Sequence, residues 1–346
     1  MTAPHRIGLI GLGMAVTPHA RSLLDLADRV EVAGAFARSA ARRGAFAQRF
    51  PFPLTDSLDA ILGDPSVDCV MILTPPDTHL HLVRRCAAAG KHILLEKPLE
   101  VTTARAEQLV AACAGAGVTL GLVLQHRFRA SALRFAAMQR EGEIGTLLAA
   151  SAGIRLWRPQ SYYDEPGRGT LARDGGGVLI TQGIHTLDLL QSLAGPVAEV
   201  TGYATTSAAH HMETEDLACA ALRFASGALG TLEATTAAFP GFPERIELTG
   251  TRATATLNGV DLLVQHQDGR VTELRPGGGG GTGADPMAFP HDNHRSVLAD
   301  FLDALDNRRP PAASGAEALQ VHYLVDALLH SARSGRACRV RGLPAT

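Results

Sequence analysis

Gly11 and Gly13 stand in "GLIGLGMAVTPHARSLL" (residues 8–24), where an apolar run gives way to a helix-like segment. A glycine at the first position permits a tight turn, and one at the second lets a diphosphate approach N–H groups at the helix start. Dinucleotide binding is the chemistry this spacing offers, with a plain structural turn as the competing reading. Val16 occupies the place where a third small residue would bring helix and strand closest, which weakens the fingerprint. Pro18 is compatible with a helix start, because first-turn N–H groups have no intrahelical acceptor.

In "VAGAFARSAARR" (residues 32–43), Ala37 stands where an acid for a free ribose 2′-OH would be expected, followed by Arg38, Ser39, Arg42 and Arg43. A guanidinium and a hydroxyl suit a 2′-phosphate, so NADP is favoured over NAD. The alternative is a solvated helix face carrying Arg38 and Arg42. Two further stretches, "ILTPPDTHLH" (72–81) and "HILLEKPLEVT" (92–102), read as apolar strands ending in proline-containing turns. Such turns lie at the carboxyl edge of a parallel sheet, where α/β proteins bind ligands. Lys97 projects there between Glu96 and Pro98. In "DGGGVLITQGIHTLDLL" (174–190), three glycines lead into a helix with His185 and Asp188 on one face. One histidine and one aspartate fall short of a metal ligand set, so no metal is expected, and a histidine buried for packing remains the alternative.

The elements that must position these residues follow from periodicity. Strand-like runs at 6–12, 30–36, 67–74, 91–96 and 118–124 alternate with helical segments at 18–28, 39–49, 79–89 and 102–114, which predicts a doubly wound parallel sheet. Beyond "LQHRFRASALRFAAMQREGEIG" the pattern changes. Segments 147–158, 197–208, 216–238 and 245–274 predict a large, mostly antiparallel sheet with a helix near 181–193, and 294–306 and 316–333 read as helices. "PGGGGGTG" (276–283) reads as a mobile loop rather than a phosphate cradle. The expected division is a dinucleotide-binding domain over 1–124 and an α+β domain over 125–346.

A chain of 346 residues can hold two cored domains, and 32 Lys and Arg against 34 Asp and Glu give no basic block for nucleic acid or a membrane surface. Five scattered cysteines without a CxxC pair argue against a disulfide framework or structural zinc. With no signal-peptide pattern and no long apolar run, a cytoplasmic location is expected.

Taken in order, "GLIGLG", "TPPDTH", "EKPLEVT", "QHRFR" followed by "GEIG", "DGGG", "QGIHTLDLL" and "SARSGRACRV" resemble the glucose-fructose oxidoreductase, inositol dehydrogenase and MocA (Gfo/Idh/MocA) family. The resemblance implies a Rossmann domain, then an open-sheet α/β domain whose face forms a homo-oligomer (dimer or tetramer). It also implies hydride transfer between a nicotinamide and a sugar, cyclitol, sugar acid or nucleotide sugar. Lys97 matches the lysine of the family's EKP motif, and His185 the histidine of its G-x-H-x-x-D motif. Thr181 replaces the acid or amide often found four residues earlier, so proton transfer falls to His185, with Lys97 stabilising oxyanion charge. The cofactor set on this reading is Gly11, Gly13, Met14, Ala15, Arg38, Ser39, Thr74, Pro75, Pro76, His79, Glu96, Lys97 and Gln125. The segment 154–177 resembles that of members acting on nucleotide sugars and related pyranosides, and Trp157, Tyr163 and Arg168 join Thr181 and His185 on the substrate side. Tyr162 and Tyr163 packing an exposed loop is the competing reading there. Two other activities stay open: a redox-neutral glycosidase or isomerase with bound cofactor, and a dinucleotide-sensing regulator without catalysis.

Overall fold

The computed structural model describes residues 3–277 and 290–343. The chain divides into two compact units, Met1–Gln125 with His291–Leu319, and His126–Pro290 with Gln320–Thr346.

In the first unit the chain runs β1 (His5–Ile10), α1 (Val16–Asp25), β2 (Val30–Phe36), α2 (Ala40–Ala47), β3 (Leu54–Thr55), α3 (Leu58–Gly63), β4 (Cys69–Ile72), α4 (His79–Ala88), β5 (His92–Leu95), α5 (Thr103–Gly115) and β6 (Leu120–Leu122). The strands are parallel, in the order β3-β2-β1-β4-β5-β6. Every residue of β4 is buried, as a strand covered on both faces requires. Strand order reverses between β1 and β4, so the crevice beyond their carboxyl ends is the expected ligand position. Polar caps set the helix starts: Ser39, Ser57 and Thr102 accept from the N–H groups of Arg42, Ala60 and Arg105. The sequence pattern omitted β3 and α3, whose two and six residues are too short to display a period.

The second unit contains α6 (Ala130–Arg140), β7 (Leu147–Arg155), α7 (Gln160–Tyr163), α8 (Leu171–Asp174), α9 (Val178–Thr181), α10 (Ile184–Ala194), β8 (Val197–Thr205), β9 (Leu217–Phe224), β10 (Leu229–Thr235), β11 (Arg245–Gly250), β12 (Ala253–Asn258), β13 (Asp261–His266) and β14 (Val271–Leu274). Next come α11 (Asp292–Asp306), which belongs to the first unit, then α12 (Gly315–Ser334), which begins there and continues in the second, and β15 (Cys338–Arg339). Residues 291–319, read from sequence as part of the C-terminal domain, return to the first unit. There α11 packs on α1, and Ala313 accepts a hydrogen bond from the Leu122 N–H. The nine described strands form one sheet, β14-β13-β12-β11-β7-β10-β9-β8-β15, antiparallel except for β7 against β10.

Side chains alternate across this sheet. Ala150, Ala152, Ile154, Leu232, Ala234, Ile246 and Leu248 are buried on one face. On the other, the cross-strand row Thr201, Ala221, Thr231, Ser151, Glu247, Thr256 and Leu263 is half-buried or exposed, and Tyr203 nearby is 79% exposed. Cys69, Cys86 and Cys113 are buried free thiols, and burial pushes Cys86 and Cys113 up to about 12. Most of the glycine run read as a loop, from 278 onward, lies outside the described residues.

Candidate active site

The turn after β1 needs glycine at Gly11 for two separate reasons. Its φ is +104°, and a Cβ there would lie 2.8 Å from Thr74 Cγ2 and 2.9 Å from the Leu73 carbonyl carbon. The N–H of Gly11 is spent on the Phe36 carbonyl. At Gly13 a Cβ would meet nothing within 4 Å, so the loop opens outward where a diphosphate would rest. Ala15 caps α1 without a side-chain acceptor, which leaves the helix start to an anion, and Met14 beside it is 56% exposed. Val16 is buried as the first residue of α1, and Pro18 falls in the first turn, where it costs no intrahelical bond. We expect Gly11→Ala to weaken dinucleotide binding by about tenfold or more, from backbone strain alone, measured by fluorescence titration with reduced nicotinamide dinucleotide.

At the end of β2, Ala37 is buried while Arg38, Ser39 and Arg42 are exposed. The Ser39 hydroxyl caps α2, and Arg43 is turned back onto the carbonyls of Ala37 and Arg38. Beyond β4, Thr74 is half-buried and its hydroxyl accepts from Thr78; Pro75 is exposed, and Pro76 opens a single 3₁₀ turn.

His79, assigned to the cofactor set from the family resemblance, has its ring engaged within the fold. It is fully buried, with Nε2 2.8 Å from the Thr74 carbonyl and Nδ1 3.1 Å from those of Pro98 and Leu99. The ring is a strut between two turns, and burial holds its pKa below the usual histidine range. Glu100, also buried, reinforces the same corner by accepting from the Leu80 and Val101 N–H groups and from Arg105.

Lys97 follows β5, and the Glu96 N–H bonds the Ile72 carbonyl at the end of β4, so the lysine stands at the carboxyl edge of the sheet. Near the end of the unit, the Gln125 amide oxygen is buried with no hydrogen-bond partner, an acceptor suited to a carboxamide N–H. The outward-opening glycine loop, the free helix start and this orphaned acceptor together fit a nicotinamide dinucleotide.

His185 belongs to the second unit, at the second residue of α10. The glycines before it are there for space and turning. Gly175 has φ +77°, and a Cβ on Gly177 would fall 1.7 Å from the Glu215 carbonyl oxygen. Glu215 in turn accepts from the N–H groups of Gly177 and Leu179, at the start of α9. Its burial pushes the carboxyl above the usual range. His185 is 8% exposed and its ring lies against that of His126, centres 4.8 Å apart and planes tilted by 32°. Arg129 approaches His126 Nε2 at 2.6 Å; guanidinium only donates, so His126 accepts there and bears any neutral-state proton on Nδ1. Asp188 is taken by Arg127, whose Nε and Nη2 reach its two oxygens at 2.7 and 2.6 Å. Neither His126 nor Arg127 was singled out individually from sequence, although both lie within the "QHRFR" motif.

Among the substrate-side residues, Thr181 is half-buried and its hydroxyl bonds the Gly177 carbonyl at 2.6 Å. Trp157 is half-buried and meets the exposed ring of Phe239 edge-on. Tyr163 is enclosed by its neighbours. It is 8% exposed, its hydroxyl pairs with Thr236 at 2.8 Å, it packs on His210, and burial pushes it up to about 12. The neighbouring Tyr162 is the half-exposed ring, with the Arg168 guanidinium 4.0 Å over its face and Glu165 holding the Arg168 Nε.

Fold and turn together define a dinucleotide-binding protein of doubly wound type with a second, open-sheet unit. Residues 5–123 match the model of an oxidoreductase family with an NAD-binding Rossmann fold, and residues 133–256 match the GFO/IDH/MocA C-terminal domain. The chain belongs to the Gfo/Idh/MocA family. It is 27% identical to the myo-inositol 2-dehydrogenase of Thermotoga maritima, over 97% of this chain and 100% of that one. Identity is also 27% to D-xylose 1-dehydrogenase (NADP(+)) 2 of Haloferax volcanii, over 96% and 97%. The WlbA dehydrogenase from Bordetella pertussis, solved with NADH and UDP-GlcNAcA, superimposes with a TM-score of 0.83 at 28% identity, covering 99% of this chain and 100% of that one.

Proposed function

We propose that the protein transfers a hydride between a nicotinamide dinucleotide and a hydroxyl or keto carbon of a sugar, cyclitol, sugar acid or nucleotide sugar. The observation that carries this reading is the Gly11–Gly13 turn on the same sheet edge as Lys97, in a family whose named relatives are dehydrogenases of inositol and xylose. The nicotinamide, when bound, supplies the hydride acceptor. His185 removes the hydroxyl proton, a task suited to imidazole near neutral pH. The Lys97 ammonium stabilises developing negative charge on a substrate oxygen. Trp157 and Tyr163 are the aromatic residues proposed for the substrate side, and Arg168 offers a guanidinium to an anionic group.

NADP is the preferred cofactor on this reading, supported by a buried Ala37 and an exposed Arg38 at the end of β2. A homo-oligomer, dimer or tetramer, formed through the open sheet face is supported by the Thr201 to Leu263 row and by Tyr203. The buried free thiols Cys69, Cys86 and Cys113 support a cytoplasmic setting. Among the described residues no helix is long and apolar enough to cross a membrane.

The test is titration with NADPH and NADH, followed by nicotinamide absorbance against a panel of sugars, cyclitols, sugar acids and nucleotide sugars. Tighter NADPH binding and an absorbance change on one substrate class are expected, with Arg38→Ala weakening NADPH by about tenfold and leaving NADH within twofold. A preference for NADH would remove Arg38 and Ser39 from the phosphate site; no turnover on any substrate would overturn the enzyme reading.

A further inference from the structure

Beside Lys97, Glu96 uses both of its carboxylate oxygens. Oε1 lies 2.8 Å from His19 Nε2, and Oε2 accepts the main-chain N–H of Lys97 at 3.0 Å. Burial pushes the Glu96 carboxyl up, but the hydrogen bond from His19 and the neighbouring positive charge of Lys97 more than offset it, leaving the group below the usual range. An ionised carboxylate only accepts, so His19 carries its proton on Nε2. His19 is 1% exposed and sits on α1, the helix that leaves the Gly11–Gly13 turn. His294 of α11 meets its ring edge-on, centres 5.1 Å apart. Burial pushes the His294 pKa down to about 3, so this second imidazole stays neutral beside the pair.

The same three side chains could be read as a metal site, since their ligand atoms all lie within 4.8 Å of one another. The separation of 2.8 Å between His19 Nε2 and Glu96 Oε1 decides against it. Two ligands about 2.0–2.1 Å from a tetrahedral ion stand about 3.3 Å apart, whereas 2.8 Å is the span of a charge-assisted hydrogen bond.

We propose that His19 and Glu96 are positioning residues for Lys97, tying the lysine's main chain to the helix that follows the dinucleotide turn. The inference rests on Lys97 being the group that meets the substrate oxygen. A carboxylate that bonds both the Lys97 N–H and a buried imidazole fixes where the lysine side chain begins. Without the imidazole, the carboxylate keeps one anchor and loses the one that connects it to α1. Lys97 then samples more positions while the glycine turn is untouched.

The experiment compares His19→Ala, the volume-keeping His19→Phe and the donor-keeping His19→Gln, each in the native chain and with Lys97→Met. Loss of the donor should lower kcat between about 10- and 100-fold through misplacement of the lysine. The Kd for reduced dinucleotide should stay within about twofold, amide exchange at Lys97 should accelerate about tenfold or more, and His19→Gln should recover most of the rate. In the Lys97→Met background, His19→Phe should have no further effect on kcat, the non-additivity of residues acting through one group. Unchanged kcat and exchange in His19→Phe, or an equal drop with Lys97 already removed, would overturn the tether. So would stoichiometric zinc in the purified protein that is lost with His19→Ala. A near-normal Lys97→Met enzyme would overturn the catalytic reading of Lys97, and the tether's purpose with it. An inactive Lys97→Met beside a normal His19→Phe would overturn the tether alone.

Discussion

Replacing His185 with alanine is expected to lower turnover about 100-fold or more, with Lys97→Ala doing the same, while the dinucleotide still binds. Alanine is the best helix former, so the second position of α10 loses its imidazole without losing its backbone geometry. On the mechanism proposed above, what disappears is the group that accepts the hydroxyl proton. For Lys97 the proposed loss is electrostatic: an oxygen that becomes negative in the transition state no longer meets an ammonium. Neither substitution alters the Gly11–Gly13 turn itself, which is why fluorescence titration should show dinucleotide affinity within a few-fold of native. Steady-state kinetics with matched melting curves read the two effects apart. Near-normal turnover in either variant would remove that residue from the mechanism.

Asp188→Ala should be among the most destabilising single changes in the second unit, at about 3–5 kcal/mol. Asp188 is fully buried and the Arg127 side chain only 13% exposed, and the guanidinium Nε and Nη2 donate to the two carboxylate oxygens. Removing the carboxylate strips a largely desolvated guanidinium of its bidentate partner, a larger loss than the pair itself is worth. A fall in melting temperature on the order of 10 °C is the expected readout. The double variant Arg127→Met with Asp188→Leu should regain most of it, because the desolvation cost vanishes with the charges. Since Asp188 lies one turn beyond His185 on α10, the single variant should also reduce kcat. Recovery of stability in the double variant without recovery of kcat would assign the pair a role in orienting His185.

Local spacing made some of this legible in the sequence, and long-range pairing hid the rest. The glycine turn, the strand end at Lys97 and the helix of His185 are each written in consecutive residues. The six parallel strands follow from apolar runs bounded by helices, and only β3, with two residues, escaped. The surroundings of Tyr163 were hidden because its ring packs on His210 and its hydroxyl on Thr236, residues far along the chain. Those of His79 were hidden in part for the same reason: two of the three carbonyls around its ring, those of Pro98 and Leu99, belong to the turn after Lys97. The meeting of His19 with Glu96 and His294 depends on α11 returning to the first unit, and no periodicity within either segment announces that return.

The one parallel pairing in the large sheet has a kinetic meaning. Strand β7 lies at the centre, hydrogen-bonded to β10 on one side and β11 on the other, and residues 156–228 separate it from β10. That intervening stretch carries α7 to α10, and hence His185, together with the β8 and β9 hairpin. Its ends meet only when a long loop closes, a step whose entropy must be met before any native contact there can form. Completion of the sheet beneath the helix that carries His185 is therefore coupled to a slow class of event in the folding of this unit. A nascent chain must extend through β10 before β7 gains its parallel neighbour.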